Sequence, residues 1–294
     1  MAAHYLVLGS DQGWHANQLR QGARAIGAKV TFAAYESLSA RLGSPIGSSE
    51  VVTLRCDAGL LSSFDAVLTR TMPAGSLERI TFRLAVLHAA VRSGLRVVNP
   101  PAALEMAIDK FATLAEVQRL GFPVPPTLVV QDRVAAMRGF ETLGGDCVVK
   151  PIFGGEGRGV MRVGDRELAW TVFGALEQID SIAYVQQFVP PGGRDLRLLV
   201  IGDQVHAIRR TCDNDFRTNV VHGAKSERVD VDDALRLSAQ RITSQFGLTI
   251  SSVDLLQGPS PDELFVVEVN AIPGWRAAQS VIDEHLGTRI MASL

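Results

Sequence analysis

Two oxygen-bearing side chains stand on an apolar stretch near the end of the chain, Phe265-Val266-Val267-Glu268-Val269-Asn270. The apolar residues predict a buried strand, and side chains two apart on a strand share a face, which pairs Glu268 with Asn270. Asp254, on the preceding apolar run, can add a third oxygen donor across the hairpin. Two carboxylates and an amide suit a hard cation such as Mg²⁺, and their burial without a partner is costly. The alternative is a polar cluster that closes on itself by hydrogen bonds.

A glycine-rich segment, Gly154-Gly155-Glu156-Gly157-Arg158-Gly159, follows an apolar run that ends in Lys150. It lacks the order of a P-loop, because its lysine precedes the glycines, and it does not match the dinucleotide-binding fingerprint. Glycine backbone N–H groups can approach phosphates without obstruction by a Cβ atom, and Lys150 can add a positive charge to the same phosphates. The alternative is an ordinary glycine-rich hairpin turn.

Several arginines lie close together in a chain whose formal net charge is only −2. They are Arg194, Arg197, Arg209, Arg210 and Arg217. Guanidinium groups bind phosphate and carboxylate in bidentate fashion, so a cluster beside a metal site indicates a clamp for such groups. For each arginine the alternative stays open, namely an ordinary ion pair with a nearby aspartate such as Asp195, Asp203, Asp213 or Asp215.

The elements that must position these groups fall into two patterns. Strands alternate with helices up to Val98, which predicts a parallel sheet whose carboxyl strand ends gather ligands. Asp11, Arg70 and Asn99 follow such ends and are candidates for lining a cleft, although Asp11 and Asn99 also suit turn or cap roles. Residues 43–49 are predicted to be a loop, and 102–120 a helix. Helices mixed with antiparallel hairpins then predict an α+β region.

Composition sets limits on the partners and the location of the protein. The 294 residues are 47% hydrophobic, enough for a sizeable core. The near-neutral charge indicates neither nucleic-acid nor membrane-surface binding, and no apolar run is long enough to span a bilayer. The three cysteines, Cys56, Cys147 and Cys212, lack metal-type spacing and are predicted to be reduced and partly buried. Without signal-peptide features at its start, the chain is predicted to be a soluble cytoplasmic protein.

Taken in order, these segments resemble the ATP-grasp ligases, and in detail the RimK-like α-L-glutamate ligases. The segments that carry the resemblance are Asp109-Lys110, Val149-Lys150-Pro151 with the glycine-rich segment, Val185-Gln186-Gln187-Phe188, Asp195-Leu196-Arg197, Phe216-Arg217-Thr218-Asn219, Val253-Asp254-Leu255 and Val267-Glu268-Val269-Asn270. Each motif is weak alone, and their common order is specific. The resemblance implies an N-terminal α/β domain (1–98) and two α+β ATP-grasp subdomains that clasp ATP (99–187 and 188–294).

The resemblance also implies roles for individual residues. The nucleotide would be bound by Lys110, Lys150, Gly155, Gly157, Gln187, Phe188, Asp195, Arg217, Thr218 and Asn219. In that set the lysines, glycines and Arg217 to Asn219 face the phosphates, the backbone of Gln187 and Phe188 reads the adenine, and Asp195 holds the ribose. Arg210 and Arg217 would be catalytic. Asp254, Glu268 and Asn270 would bind Mg²⁺ or Mn²⁺, with two ions expected. Gln187 departs from the family, which usually has glutamate there.

The implied reaction is ATP-dependent formation of an amide through an acyl phosphate. The implied substrates are L-glutamate or a similar amino acid and a small-molecule carboxylate acceptor such as a pterin-type cofactor. Trp275 and Arg276, just after the metal strand, can stack on and pair with such an acceptor, or Trp275 can simply pack the last helix. Alternatives are a protein C-terminus as acceptor, another ATP-grasp amino-acid ligase, or a non-catalytic ATP-binding protein. The sequence leaves the oligomeric state open, and symmetry makes a homo-oligomer a common outcome.

Overall fold

The computed structural model describes residues 2–43, 52–155, 157–218, 223–260 and 263–294. The first part of the structure is an α/β layer. Its elements are β1 (His4–Leu8), α1 (Trp14–Ala25), β2 (Lys29–Ala33), β3 (Ser39–Leu42), β4 (Val52–Cys56), β5 (Gly59–Leu60), β6 (Ala66–Thr69), α2 (Leu77–Arg92) and β7 (Arg96–Val98). A parallel sheet runs in the order β2-β1-β6-β7, as the alternating pattern predicts. Its carboxyl strand ends share one edge, so Arg70 and Asn99 follow adjacent strands there.

A small antiparallel sheet, β3-β4-β5, flanks this layer and was not predicted. The side chains of β3 are all exposed, so the strand carries no alternation of apolar and polar residues that a sequence pattern could reveal. Residues 44–49 of the predicted loop lie outside the described residues, as does 51.

The second part consists of α3 (Pro101–Ile108), α4 (Lys110–Arg119), β8 (Thr127–Val130), α5 (Arg133–Thr142), β9 (Cys147–Lys150), β10 (Met161–Val163), α6 (Arg166–Gln178) and β11 (Ala183–Gln187). Its antiparallel sheet runs in the order β10-β9-β11-β8. The prediction of one helix over 102–120 was wrong, because Asp109 is extended and its Oδ1 accepts from the amides of Phe111 and Ala112 at 2.8 and 3.0 Å. This cap starts a new helix whose first residue is Lys110.

The third part contains β12 (Arg194–Ile201), β13 (Gln204–Thr211), β14 (Lys225–Val229), α7 (Asp233–Gln245), β15 (Ile250–Gln257), β16 (Leu264–Asn270), α8 (Arg276–Gln279) and α9 (Leu286–Ala292). The strands form an antiparallel sheet in the order β14-β13-β12-β15-β16. Antiparallel hairpins are present as predicted: β12 and β13 form one that turns at Gly202-Asp203, and Asp254 pairs with Glu268 across β15 and β16. These two carboxylates therefore share one face, since directly opposite residues in an antiparallel pair project together.

Asn99 fastens the N-terminal layer to the third part. Its buried amide donates to the carbonyl oxygens of Ile250 and Ala271, both at 2.6 Å, and its Oδ1 accepts from the amides of Thr249 and Ile250 at 2.8 and 3.1 Å. Apolar side chains reinforce the contact, because one core cluster joins Val7 with Leu199 and other residues of the third part. The predicted boundaries after residues 98 and 187 lie between sheets, and the division into domains stays a prediction.

The remaining expectations about composition concern cysteines and membranes. All three cysteines are free and buried. None of the helices in the described ranges combines the length and the apolar composition that crossing a bilayer requires.

Candidate active site

A cavity lies where the second antiparallel sheet faces the third. Most of the residues predicted for the nucleotide and the metal line it, together with both predicted catalytic arginines. Those lining residues are Lys110, Lys150, Gly155, Gly157, Gln187, Phe188, Asp195, Arg210, Arg217, Thr218, Asp254 and Glu268. Asn270 lies at the end of β16, next to Glu268 on the same face, and is not among the lining residues. Asn219 lies outside the described residues. The fold thus brings together side chains that are up to 158 residues apart, from Lys110 to Glu268.

Lys150 projects into this cavity from the last position of β9. Its Nζ donates to Oε1 of Gln186 at 2.7 Å, and Nε2 of Gln186 donates to Oγ1 of Thr127 at 2.9 Å. Burial lowers the pKa of Lys150 to about 8, against the opposing effect of the Glu268 carboxylate. Gln186 was quoted in the family motif but not assigned a role. A polar side chain that is 2% exposed on an apolar strand was the signal that could have identified it.

Lys110 reaches the cavity from the start of α4. Its Nζ donates to the carbonyl of Gly154 at 2.6 Å and lies 3.8 Å from Oε1 of Glu268. The lysine therefore bridges the glycine-rich segment and the third sheet.

Gly159 must be glycine, because its φ is +70° and a Cβ atom there would lie 2.8 Å from Cγ of Pro151.

Two carboxylates and two guanidinium groups form a buried network on the floor of the cavity. Arg197 binds Asp254 in bidentate fashion at 2.8 and 2.6 Å, and Nη2 of Arg210 donates to the same carboxylate at 3.0 Å. Arg210 also binds Asp195 through two hydrogen bonds, and the Thr218 hydroxyl donates to Asp195. Arg197 was noted as part of the arginine cluster but was not predicted as a site residue.

The network sets the charges of its members. Burial by itself would raise the pKa of Asp254, but the guanidinium groups of Arg197 and Arg210 outweigh burial and lower that pKa to about 2. Burial would likewise lower the pKa of Arg210, but the carboxylates of Asp254 and Asp195 outweigh it and raise that pKa above its ordinary value. Asp254 and Arg210 are therefore charged at neutral pH, and their positions are held by ion pairs formed before any ligand arrives.

The predicted metal ligands differ in how open they are. The Asp254 carboxylate is 6% exposed and already accepts from two guanidinium groups, whereas that of Glu268 is 27% exposed. Asn270 uses its Nδ2 in a contact of 3.4 Å with Oγ of Ser252, which leaves its amide oxygen as the donor atom for an ion. Carboxylate and amide oxygens are hard donors, so the set fits Mg²⁺ or Mn²⁺ in chemistry. Within the described ranges, no group of three or more His, Cys, Asp or Glu side chains offers a metal site.

The predicted adenine linker is held from both sides. The amide of Gln187 donates to the Pro126 carbonyl at 2.8 Å, and that of Phe188 donates to the Asp146 carbonyl at 3.0 Å. Arg162 stacks on the Phe188 ring at 3.6 Å from its centroid. Because both amides already donate within the protein, an adenine at this predicted linker would have to bind these two peptide groups through their carbonyl oxygens.

Arg217 is tethered at the mouth of the cavity. Its Nε and Nη2 donate to the Asp215 carboxylate at 3.0 and 2.7 Å, and its Nη1 lies 3.5 Å from the carbonyl of Val160, just past the glycine-rich segment. Both Arg210 and Arg217 thus form ion pairs with the nearby aspartates named in the alternative interpretation, although they also line the cavity.

Trp275 is not available to stack on a substrate. Its side chain is fully buried, with the His15 ring centroid 4.5 Å away and the Arg70 guanidinium 4.8 Å from its own centroid. The packing interpretation of Trp275 is therefore the correct one. Arg276 is exposed at the start of α8.

Comparison with known families agrees with this architecture. Residues 107–294 match the family model described as the RimK-like ATP-grasp domain. The chain therefore belongs to the RimK-like ATP-grasp family, and it is an ATP-dependent ligase that uses a divalent metal ion.

Similar proteins carry names from the same class. One is a tetrahydromethanopterin:alpha-L-glutamate ligase of Methanosarcina acetivorans, 31% identical over 72% of this chain and 69% of its own length. Another, of Sodalis glossinidius, bears the name "Probable alpha-L-glutamate ligase" and is 31% identical over 92% of this chain and 89% of its own.

Solved structures extend the likeness to the whole chain. The ATP-grasp ligase PsnB, in complex with a phosphomimetic variant of its minimal precursor, Mg and ADP, has a TM-score of 0.76 at 24% identity over 98% of both chains. A RimK domain protein of Sphaerobacter thermophilus has a TM-score of 0.73 at 23% identity over 99% of both chains. These likenesses show that the N-terminal layer also belongs to the ATP-grasp fold.

Proposed function

We propose that this ligase adds L-glutamate to a carboxylate of a small acceptor of the pterin type, through an acyl phosphate. The observation that carries the reaction type is the cavity, which unites two lysines and the glycine-rich segment with Asp254 and Glu268 on the opposite sheet. The substrates are supported by the relative named tetrahydromethanopterin:alpha-L-glutamate ligase.

In the first step, an acceptor carboxylate oxygen attacks the γ-phosphorus of ATP, and ADP leaves. Lys110 and Lys150 bind the phosphates, and the backbone amides of Gly155 and Gly157 approach them closely. Arg217, held by Asp215, adds a guanidinium at the mouth of the cavity. Burial has removed much of the water around Lys150, which strengthens its attraction to phosphate.

In the second step, the amine of glutamate attacks the acyl phosphate, and inorganic phosphate leaves as the amide forms. Arg210 supplies fixed positive charge for the tetrahedral oxyanion, because Asp195 and Asp254 hold its guanidinium in place. Asp195 was predicted to hold the ribose. Its carboxylate accepts from Arg210 and Thr218 and is 5% exposed, which supports a positioning role for Asp195 better than a ribose contact.

We propose that Asp254, Glu268 and Asn270 would hold the divalent metal, Mg²⁺ or Mn²⁺, with two ions in the site. When bound, it supplies charge neutralisation for the β- and γ-phosphates. Glu268 is more open than Asp254, and its contact with Lys110 at 3.8 Å puts both groups near the same phosphates.

The test is phosphate release by the purified protein with Mg²⁺, ATP and L-glutamate, offered with a panel of acceptors. The panel contains reduced pterins that bear carboxylates, and peptides with a free C-terminus. Product mass spectrometry should show one or more glutamyl residues on the pterin. Asp254→Asn should abolish the reaction, whereas the matched control Asp203→Asn, in the exposed turn between β12 and β13, should not change it. Glutamylation of a peptide alone, or no acceptor-dependent phosphate release, would refute the proposal.

A further inference from the structure

Arg70 stands at the carboxyl end of β6, outside the cavity described above. Nη2 of Arg70 donates to the Pro273 carbonyl at 3.1 Å, and its guanidinium carbon lies 4.8 Å from the centroid of the Trp275 ring. The Tyr35 hydroxyl donates to the backbone carbonyl of Arg70 at 3.1 Å. Arg70 is thus enclosed by three elements of the protein, while part of its side chain remains exposed to solvent.

What distinguishes Arg70 from the other enclosed arginines is the absence of an acidic partner. In the part of the chain that the structure describes, it forms no ion pair with a carboxylate. Arg210 binds Asp195 and Asp254, and Arg83, of α2, lies 3.4 Å from Glu36. Burial lowers the pKa of Arg70 to about 10, opposed only by Tyr35. A guanidinium has five N–H donors, and taking its charge out of water without a counter-charge is costly.

The position of Arg70 connects it to the reaction site. Pro273 follows Asn270, the last residue of β16, by three residues, so the two Cα atoms are within about 11 Å of each other. Gly9, the residue after β1, lies beside Arg70 at the edge of the sheet. A Cβ atom on Gly9 would lie 2.9 Å from Cβ of Arg70. The absence of a side chain at residue 9 therefore leaves room for the side chain of Arg70 at this edge.

The start of α1 adjoins the same ring that Arg70 covers. The rings of Trp14 and His15 lie 6.1 and 4.5 Å from that of Trp275. Gly13 caps this 12-residue helix without a side-chain hydrogen bond, and its first turn carries no acidic residue. The helix N-terminus therefore adds backbone donors and partial positive charge next to the Trp275 ring, which Arg70 also contacts.

We infer that Arg70 is a specificity-determining residue that binds a carboxylate group of a substrate at the edge of the parallel sheet. The inference rests on the ligase reaction proposed above, in which both the amino acid and the acceptor carry carboxylates. A bound carboxylate supplies the counter-charge that Arg70 lacks and holds the substrate beside the end of β16. The competing explanation is that Arg70 only clamps the N-terminal layer to the segment after β16 through Pro273 and Trp275.

The experiment measures ligand binding without turnover, so it does not depend on finding the acceptor. Wild-type protein and Arg70→Met are titrated by isothermal calorimetry with L-glutamate, and separately with glutarate, which has the two carboxylates but no amine. Arg83→Met is the matched control, since it removes a buried arginine of the same layer that already has an acidic partner. Arg70→Lys keeps the charge but not the bidentate geometry. Thermal unfolding of each variant is recorded alongside.

We expect Arg70→Met to weaken binding of at least one ligand about 10- to 100-fold, Arg70→Lys to weaken it less, and Arg83→Met to leave it unchanged. Weaker binding of glutamate, alone or together with glutarate, assigns the subsite to the amino acid, and weaker binding of glutarate alone assigns it to an acid group of the acceptor. Equal binding by wild type and Arg70→Met, or no binding of either ligand by wild type, would overturn the inference. Failure of the proposed function would show separately, as absent acceptor-dependent phosphate release.

Discussion

We predict that Lys150 gives this ligase an alkaline limit in its use of ATP. Burial lowers its pKa from 10.5 to about 8. At about 1.4 kcal/mol per pKa unit, the protein disfavours the charged lysine by about 3.5 kcal/mol relative to water. The neutral form predominates above pH 8, and it offers no charge to the phosphates of ATP.

The two kinetic constants should respond differently to pH. At saturating co-substrates, kcat/KM for ATP reports the free enzyme, so it should fall as pH rises through about 8, towards about tenfold per pH unit. Bound phosphates favour the charged lysine and raise its pKa in the complex, so kcat should stay flatter over the same range.

Lys150→Arg tests the assignment, because arginine keeps its charge throughout the assay range. Its kcat/KM for ATP should not fall between pH 8 and about 9.5, even if its absolute value is lower. Lys29→Arg, at an exposed position of β2, is the matched control and should keep the wild-type profile. A wild-type kcat/KM that is constant across this range, or a fall that persists in Lys150→Arg, would refute the reasoning.

Two further predictions concern the free energy of unfolding in urea. Arg197→Met should lower it by about 3 kcal/mol, because Asp254 then keeps only one guanidinium. The low pKa of Asp254 contributes stability that is present above about pH 4 and disappears as pH falls towards 2. The loss of Arg197 should therefore also raise the pH at which the protein unfolds in acid. Arg209→Met, which breaks an exposed pair with Glu227, should cost less than about 1 kcal/mol, and an equal loss in both variants would contradict this account. Asn99→Ala should lower the free energy of unfolding by about 2 to 4 kcal/mol, because the four hydrogen bonds between the Asn99 side chain and backbone groups are lost. A loss below about 1 kcal/mol would show that water replaces the amide.

Local pattern was sufficient for much of the fold. Strands such as Ala66–Thr69 and Cys147–Lys150 coincide with short apolar runs of the sequence, because a buried strand is a short apolar run between turn residues. The break between α3 and α4 at Asp109 was not predicted, since an aspartate inside a helical pattern can either face solvent or cap a new helix. In the structure Asp109 caps a new helix, and Lys110, its first residue, contacts the glycine-rich segment 44 residues away.

The site shows the same division. Alternation on β16 placed Glu268 and Asn270 on one face from the sequence alone, because the period of a strand is a property of its backbone. The partners of Asp254 could not be read in this way. Arg197 is 57 residues distant and Arg210 is 44, and both reach Asp254 only through the register of β12, β13 and β15.

The sequence by itself therefore determined the order of the motifs and the faces of the strands, which depend on residue type and short spacing, and its resemblance to the RimK-like ligases implied the class of reaction. The tertiary structure alone decided which charges are paired, how far burial shifts the pKa of Lys150, and that Trp275 packs inside the protein. It also decided that Arg70 lies beside the end of β16 without a carboxylate partner among the described residues. These properties depend on distances and burial between segments far apart in the chain, and no local pattern encodes them.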